Sequence, residues 1–257
     1  MAHDYSPPPR LGSVHYLNAA PLTVGIEDQM VFTTPARLAE LLRRDELDAA
    51  LVSITEVLLR DRYDILDGVA IAALGEVYSV LLAHKKPLAE VQEVFCDTAS
   101  LTSVNLLKVL LAERGLKPVF RPLESYAAAA AKDFVLLIGD PAIDFQRAPH
   151  SHQIFDLGTE WQALTGLPFV FAVWALRRGV DQAAHIRQLR TAKINGLREL
   201  DQIIRDRPEH DEEFRRAYFE RHIRYELNDP EKHAVARFCE LLGKHQLGPV
   251  FPPRYVF

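Results

Sequence analysis

The sequence predicts an α/β protein built as two lobes, joined by two crossing strands, with a ligand cleft between them. Three patterns point there. The first sixty residues alternate strand, helix and strand, and a second, self-contained βαβα block runs from Glu93 to Ile138. Beyond Gly179 the chain is charged and wholly helical, with the amphipathic spacing of helices that pack back on the first lobe. The expected division is residues 1–83 plus 175–257 for a discontinuous first lobe, and 84–174 for an inserted second one. A chain of 257 residues is long enough for two cores. Clefts between lobes are preferred ligand sites.

Each element has its own justification. Pro7-Pro8-Pro9 reads as an extended or disordered tail, and Leu11 to Leu17 as a first buried strand that runs into a polar, Pro-marked turn through Asn18 and Pro21. Thr34 suits a helix N-cap and Pro35 the first helical position, where a missing N–H costs nothing. Asp48 to Ser53 reads as a buried parallel strand, with a short helix from Ile54 to Leu59 after it. Val77 to Ala83 is strongly β-like. The second block reads as strand Glu93 to Cys96, helix Thr102 to Arg114 closed by Gly115, strand Pro118 to Arg121, an Ala-rich helix from Tyr126 to Lys132, and strand Phe134 to Ile138. Gly166 to Leu176 then crosses back, and helices follow over Asp181 to Arg205, Pro208 to Arg221 and Pro230 to Leu242.

Composition narrows the function. With 48% apolar residues, 25% charged residues and a net charge of -5, the chain has no basic stripe for nucleic acid. Neither an export signal nor a membrane-spanning run is present in the sequence, which predicts a cytoplasmic protein away from membranes. Cys96 and Cys239 read as reduced thiols in apolar surroundings. His150 and His152 lack a thiol or third ligand, so no metal site is expected. There is no G-x-S-x-G elbow, P-loop or G-x-G-x-x-G fingerprint. The expected partner is a small-molecule substrate, with at most a second copy of the chain as a homodimer.

Candidate ligand contacts cluster at strand ends, where α/β proteins place them. The turn after the first strand presents His15, Tyr16 and Asn18 together. Asp97 to Ser103 sets several hydroxyls between a strand end and a helix start, a place that attracts anions; Ser100 or Thr102 as a simple helix cap is the alternative. Ser79 is a lone hydroxyl in an apolar strand, which either faces the cleft or bonds to neighbouring backbone. Ser53-Ile54-Thr55-Glu56 has the form of a capping box, which argues against Glu56 as a catalytic base. Gly139-Asp140 ends a strand at its carboxyl edge, as a cleft contact or a turn. Trp161 and Trp174 read as core or cleft-wall aromatics.

Taken as an ordered set, these pieces resemble the chorismate dehydratase family of the futalosine route to menaquinone. The resemblance runs from Leu11 to about Arg178 through Tyr16-Leu17-Asn18 with Pro21-Leu22, Leu47 to Val52, Ser79 to Leu82, Leu101-Thr102-Ser103, Leu137 to Asp140, and Asp156-Leu157-Gly158 through Trp161 to Thr165-Gly166-Leu167-Pro168-Phe169 and Ala172. It implies a periplasmic-binding-protein type II-like fold used as an enzyme, a carbon–oxygen lyase. The implied reaction removes the C4 hydroxyl and C3 proton of chorismate as water, giving 3-[(1-carboxyvinyl)oxy]benzoate, with no metal or redox cofactor. Asn18 and Ser79 are the expected catalytic residues. Substrate binding is expected of His15, Tyr16, Ser53, Thr55, Thr102, Ser103, Gly139, Asp140 and Phe169, with the proton taken by the substrate's own enolpyruvyl carboxylate. Two departures stand out: Ser53 where the family reads Pro, and Leu101 where a polar or basic residue is expected. The rival functions are 1,4-dihydroxy-6-naphthoate synthase of the same route and a non-catalytic solute-binding or sensor domain.

Overall fold

The computed structural model describes residues 10–96 and 101–257, so the Pro7-Pro8-Pro9 tail and Asp97 to Ser100 of the hydroxyl-rich loop lie outside the described residues. The first sheet contains β1 (Leu11–Ser13), β2 (Met30–Phe32), β3 (Ala49–Ser53), β4 (Tyr63–Ala73), β10 (Phe169–Arg177) and β11 (Tyr255–Val256), in the order β11-β4-β10-β3-β1-β2. β1 runs parallel to β2 and β3, while β10 lies antiparallel between β3 and β4. The second sheet has β5 (Val80–His84), β6 (Glu93–Cys96), β7 (Val119–Pro122), β8 (Phe134–Ile138) and β9 (Gln153–Asp156), in the order β7-β6-β8-β5-β9. Every residue of β3, β5 and β8 is buried, as continuous apolar runs predict for central strands.

The sheets decide where the lobes divide. β5 pairs with β8 and β9, and all of β10 pairs with β3 and β4. The expected breaks after 83 and after 174 therefore fall inside strands, and the chain passes between sheets over 74–79 and again through 157–168. Helix α5 (Leu157–Thr165) fills the second passage. Its Trp161 packs edge-on against Phe169 and Phe238, so a continuous apolar core runs from one sheet to the other. Both tryptophans are fully buried core residues.

Local chemistry explains the elements that match and those that do not. Helix α1 (Pro35–Arg43) starts as expected, with the Thr34 hydroxyl accepting from Arg37 N–H and Pro35 in its first turn. Helices α2 (Ile54–Leu58), α3 (Leu101–Ala112) and α4 (Asp140–Arg147) follow; the Ser53–Glu56 capping box does not form. Instead the buried Glu56 carboxylate sits between Arg43 at 3.0 Å and Arg60 at 2.8 Å, since an unpaired buried charge would be costly. A full capping box occurs elsewhere, between Asn228 and Glu231 at the start of α9 (Asp229–Lys244).

The expected first strand ends early, at Ser13, and Leu17–Leu22 coils as a 3-10 turn. β5 begins at Val80 because Tyr78 takes a left-handed backbone, φ 65°, which breaks the extended run. Tyr126–Ala131 also forms a 3-10 turn in place of an α-helix. The C-terminal helices are shorter than expected: α6 (Ala183–Arg198), α7 (Leu200–Asp206) and α8 (Glu212–Ala217), the last running into a π-helical turn over Tyr218–His222. Helix α6 lies so close to the Leu17–Leu22 turn that a Cβ on Gly196 would be 1.9 Å from the Pro21 carbonyl oxygen. Only glycine fits there.

Candidate active site at the junction of the two sheets

A cleft opens where the carboxyl ends of β1 and β3 approach the start of β5 and the end of β8. Its wall takes Val14, Tyr16 and Asn18 from the segment after β1, Ser53 from the end of β3, and Ile71 from β4. Val77, Ser79, Val80, Ser103, Ile138, Gly139 and Phe171 complete it, with Pro35, Leu51, Val52 and Ala172. The space between these atoms, open solvent included, is about 640 Å³. None of these lining residues carries a charge. An anionic ligand here would be held by neutral hydroxyl, amide and backbone donors.

Asn18, in the turn after β1 of one sheet, and Ser79, just before β5 of the other, share one partner. The Tyr218 hydroxyl donates to Ser79 Oγ at 2.8 Å, and Asn18 Nδ2 donates to the same phenol oxygen at 3.4 Å. Tyr225 holds the backbone of the turn by donating its hydroxyl to the Asn18 carbonyl at 2.8 Å. Both tyrosines are buried, and burial pushes their hydroxyls well above the ordinary phenol range, so both remain neutral donors. Gly139 N–H donates to the Ser79 carbonyl at 2.7 Å, and the Tyr16 ring lies against Gly139, whose φ of 61° no side chain adopts cheaply.

A second polar group lies across the cleft. Ser53 Oγ is hydrogen-bonded to Thr102 Oγ1, which also accepts from Thr55 N–H at 3.1 Å. Since Thr102 is spent on its neighbours, Ser53 is the hydroxyl of this group that reaches the cleft, beside Ser103. Thr55 is fully buried and stands behind them.

Asp156 organises the passage beneath. Its carboxylate accepts from Val77 N–H at 3.1 Å, Tyr78 N–H at 2.8 Å and Thr159 N–H at 2.9 Å, which holds the left-handed Tyr78 and so the start of β5. Burial raises its pKa above the usual Asp range, and the three donors pull the other way. Asp140 is likewise raised by burial, opposed by a hydrogen bond from Leu17 N–H.

Of the residues expected at the site, Tyr16, Asn18, Ser53, Ser79, Ser103 and Gly139 line the cleft. Thr55 and Thr102 back it. His15 does not reach it: the ring is exposed and stacks on Phe32 at 4.5 Å, because the turn after β1 sends successive side chains to opposite sides. Asp140 lies beyond the wall, behind Gly139. Phe169 is locked in the Trp161–Phe238 aromatic cluster, and Phe171, two residues on, occupies the cleft face. Tyr218 and Tyr225 carried no sequence signal: an aromatic in a charged amphipathic helix, as Tyr218 is, reads as ordinary core, and Tyr225 falls between the expected helices. His150 stacks on Phe145, and His152 Nε2 is hydrogen-bonded to the Lys132 carbonyl. Among the described residues no helix is long and apolar enough to cross a membrane, and no cluster of ligands suits a metal ion.

Comparison with known proteins identifies the family. Residues 9–244 match the family model described as menaquinone biosynthesis. The chain is 35% identical over 272 residues to a chorismate dehydratase of Thermus thermophilus, covering 95% of this chain and 98% of that protein. A chorismate dehydratase of Campylobacter jejuni is 32% identical over 159 residues, 61% of this chain and 58% of its own length. Among solved structures, a protein of Archaeoglobus fulgidus superposes with a TM-score of 0.74 at 18% identity, over 93% of this chain and 97% of its own. The periplasmic aliphatic sulphonate-binding protein of Escherichia coli superposes with a TM-score of 0.62 at 14% identity, over 98% of this chain and 94% of its own. At such identities the two structures speak for the fold alone, which is that of the periplasmic binding proteins.

Proposed function

The chain belongs to the menaquinone biosynthesis family, and from that premise, together with its 35% identity to a chorismate dehydratase of Thermus thermophilus, we propose that it is itself a chorismate dehydratase. The observation that carries the proposal is the cleft itself: a slot with no charged side chain among its described lining residues, with an amide and a hydroxyl joined through Tyr218 at one side and two serine hydroxyls at the other. Such a slot suits a small cyclic dicarboxylate with one polar centre to be activated.

In this reading Ser53 and Ser103 donate to one carboxylate, with Thr102 and Thr55 holding Ser53 in place. Asn18 and Ser79 face the C4 hydroxyl or the charge that develops beside it, where neutral donors of fixed direction stabilise the transition state more than the ground state. The C3 proton passes to the substrate's enolpyruvyl carboxylate, the electron pair left at C3 completes the aromatic ring as the C4–O bond breaks, and the carboxyl group returns the proton to the departing hydroxide, which leaves as water. Tyr16 and Phe171 pack against the ring and restrict it to the geometry of elimination. Cys96 and Cys239 are thiols rather than a disulfide, which supports a place in the reducing cytoplasm.

Incubating the protein with chorismate and following ultraviolet absorbance and product mass tests this directly. Loss of chorismate with appearance of a product lighter by one water is the expected result. Saturable binding without any change in absorbance or mass would show a binding module instead.

A further inference from the structure

Tyr218 occupies an unusual place for a core residue. It stands at the junction of α8 and the π-helical turn, a local widening of the helix often kept at functional sites. Its hydroxyl joins Asn18 of the first lobe to Ser79 at the edge of the second, yet Tyr218 itself is buried and is not part of the cleft wall. From these contacts we propose that Tyr218 is a positioning residue for the dehydration, one phenol oxygen that sets the direction in which both Asn18 and Ser79 present their hydrogen-bonding groups to the substrate.

Hydrogen accounting supports it. The Tyr218 proton is given to Ser79 Oγ, so the serine's own proton must go elsewhere. Within the protein its acceptor is the Val77 carbonyl at a long 3.4 Å, a bond readily exchanged for one to a ligand. Ser79 is thereby a donor toward the cleft. Asn18 gives one amide hydrogen to the phenol at 3.4 Å, which turns the rest of the amide, including its oxygen, toward the substrate side. The ring is clamped by Phe214 at 5.8 Å, Phe219 at 5.9 Å and His222 at 6.3 Å, so the oxygen has little freedom to follow a misplaced partner. The buried phenol does not ionise near neutral pH, and its role as donor persists across the working range.

The proposal rests on the dehydratase reading, and Tyr218→Phe with Ser79→Ala separates the two. Parent turnover of chorismate tests that reading; the variant-to-parent ratio tests Tyr218. Tyr218→Phe deletes only the oxygen, and kcat is expected to fall by about tenfold to a hundredfold while KM moves less than about twofold. Adding Tyr218→Phe to Ser79→Ala is expected to cost less in kcat than Tyr218→Phe costs alone, because the share that acts through Ser79 is already lost and only the share through Asn18 remains. A residue needed only for packing would lower the folded fraction and leave the two losses additive. Thermal unfolding reports the folded fraction, and Tyr218→Met, which also lacks the oxygen, replaces Tyr218→Phe with the same expected kcat loss should the latter be recovered unfolded. If the parent turns over chorismate and Tyr218→Phe keeps kcat within about twofold, shows its loss in KM alone, or adds fully to Ser79→Ala, the positioning role is overturned by itself. A parent without turnover overturns both readings.

Discussion

Replacing Asp156 tests how the passage between the sheets is built. The carboxylate accepts three backbone N–H groups, at 3.1 Å from Val77, 2.8 Å from Tyr78 and 2.9 Å from Thr159. In Asp156→Ala two buried donors at the crossing lose their acceptor, at about 1–3 kcal/mol each. Helix α5 also loses its N-cap, at about 1 kcal/mol. The expected loss is therefore about 3–7 kcal/mol, a large part of the 5–15 kcal/mol by which domains of this kind are stable. Asp156→Asn should cost less, about 1–3 kcal/mol, because its oxygen can still serve Val77 and Thr159 while its amide hydrogens meet the Tyr78 N–H. Because burial raises the folded-state pKa of Asp156, protonation favours the fold. That contribution is complete below the ordinary Asp range and is lost as pH rises through the raised value. The advantage of the parent over Asp156→Asn should accordingly be largest in acid and shrink toward neutrality. Urea unfolding across pH measures all three quantities. A free energy for Asp156→Ala within about 1 kcal/mol of the parent would refute the reasoning, since surface substitutions do no more than that.

Three further outcomes follow from the same geometry. Asn18→Ala should lower kcat/KM for chorismate by about a hundredfold or more, as loss of one fixed donor at a developing charge does, and a parental rate in steady-state kinetics would remove Asn18 from the mechanism. Gly196→Ala drives a methyl into the Pro21 carbonyl at 1.9 Å; it should cost at least about 1–3 kcal/mol in thermal or denaturant unfolding and also slow turnover, because the displaced turn carries Asn18. Glu113 is held below the usual Glu range by hydrogen bonds from Lys244 and then His245, so its stabilising contribution is present above the ordinary Glu pKa and lost as pH falls through the lowered one. Unfolding of Glu113→Gln should show a deficit of about 0.5–1 kcal/mol at pH 7 that closes in acid.

Much of the fold was legible because burial leaves a local trace. Ala49–Ser53 and Phe134–Ile138 read as buried strands since a strand covered on both faces is apolar throughout, and Thr34-Pro35 announced α1 through cap chemistry that needs only neighbours in sequence. The Ser53–Glu56 box failed for the opposite reason. Its spacing was correct, but Thr102, 49 residues away, and Arg43 compete for the two side chains, and a buried carboxylate is better held by guanidinium groups than by one backbone N–H. Likewise the apolar run at Val77 to Ala83 reads as one strand, and only the grip of Asp156 on Val77 and Tyr78 shows why it starts at Val80.

By itself, then, the sequence determined the α/β class and the order of its units. It also carried the resemblance to a family of known chemistry and the polar side chains of the cleft wall, because strand ends, caps and hydroxyl clusters are written in consecutive residues. The tertiary structure decided which of those residues meet. It turned His15 outward, exchanged Phe169 for Phe171, and brought Tyr218 across 139 positions to Ser79. Hydrogen bonds between distant segments depend on helix packing and on the φ of single residues such as Tyr78 and Gly139, and no local pattern encodes the distances that result.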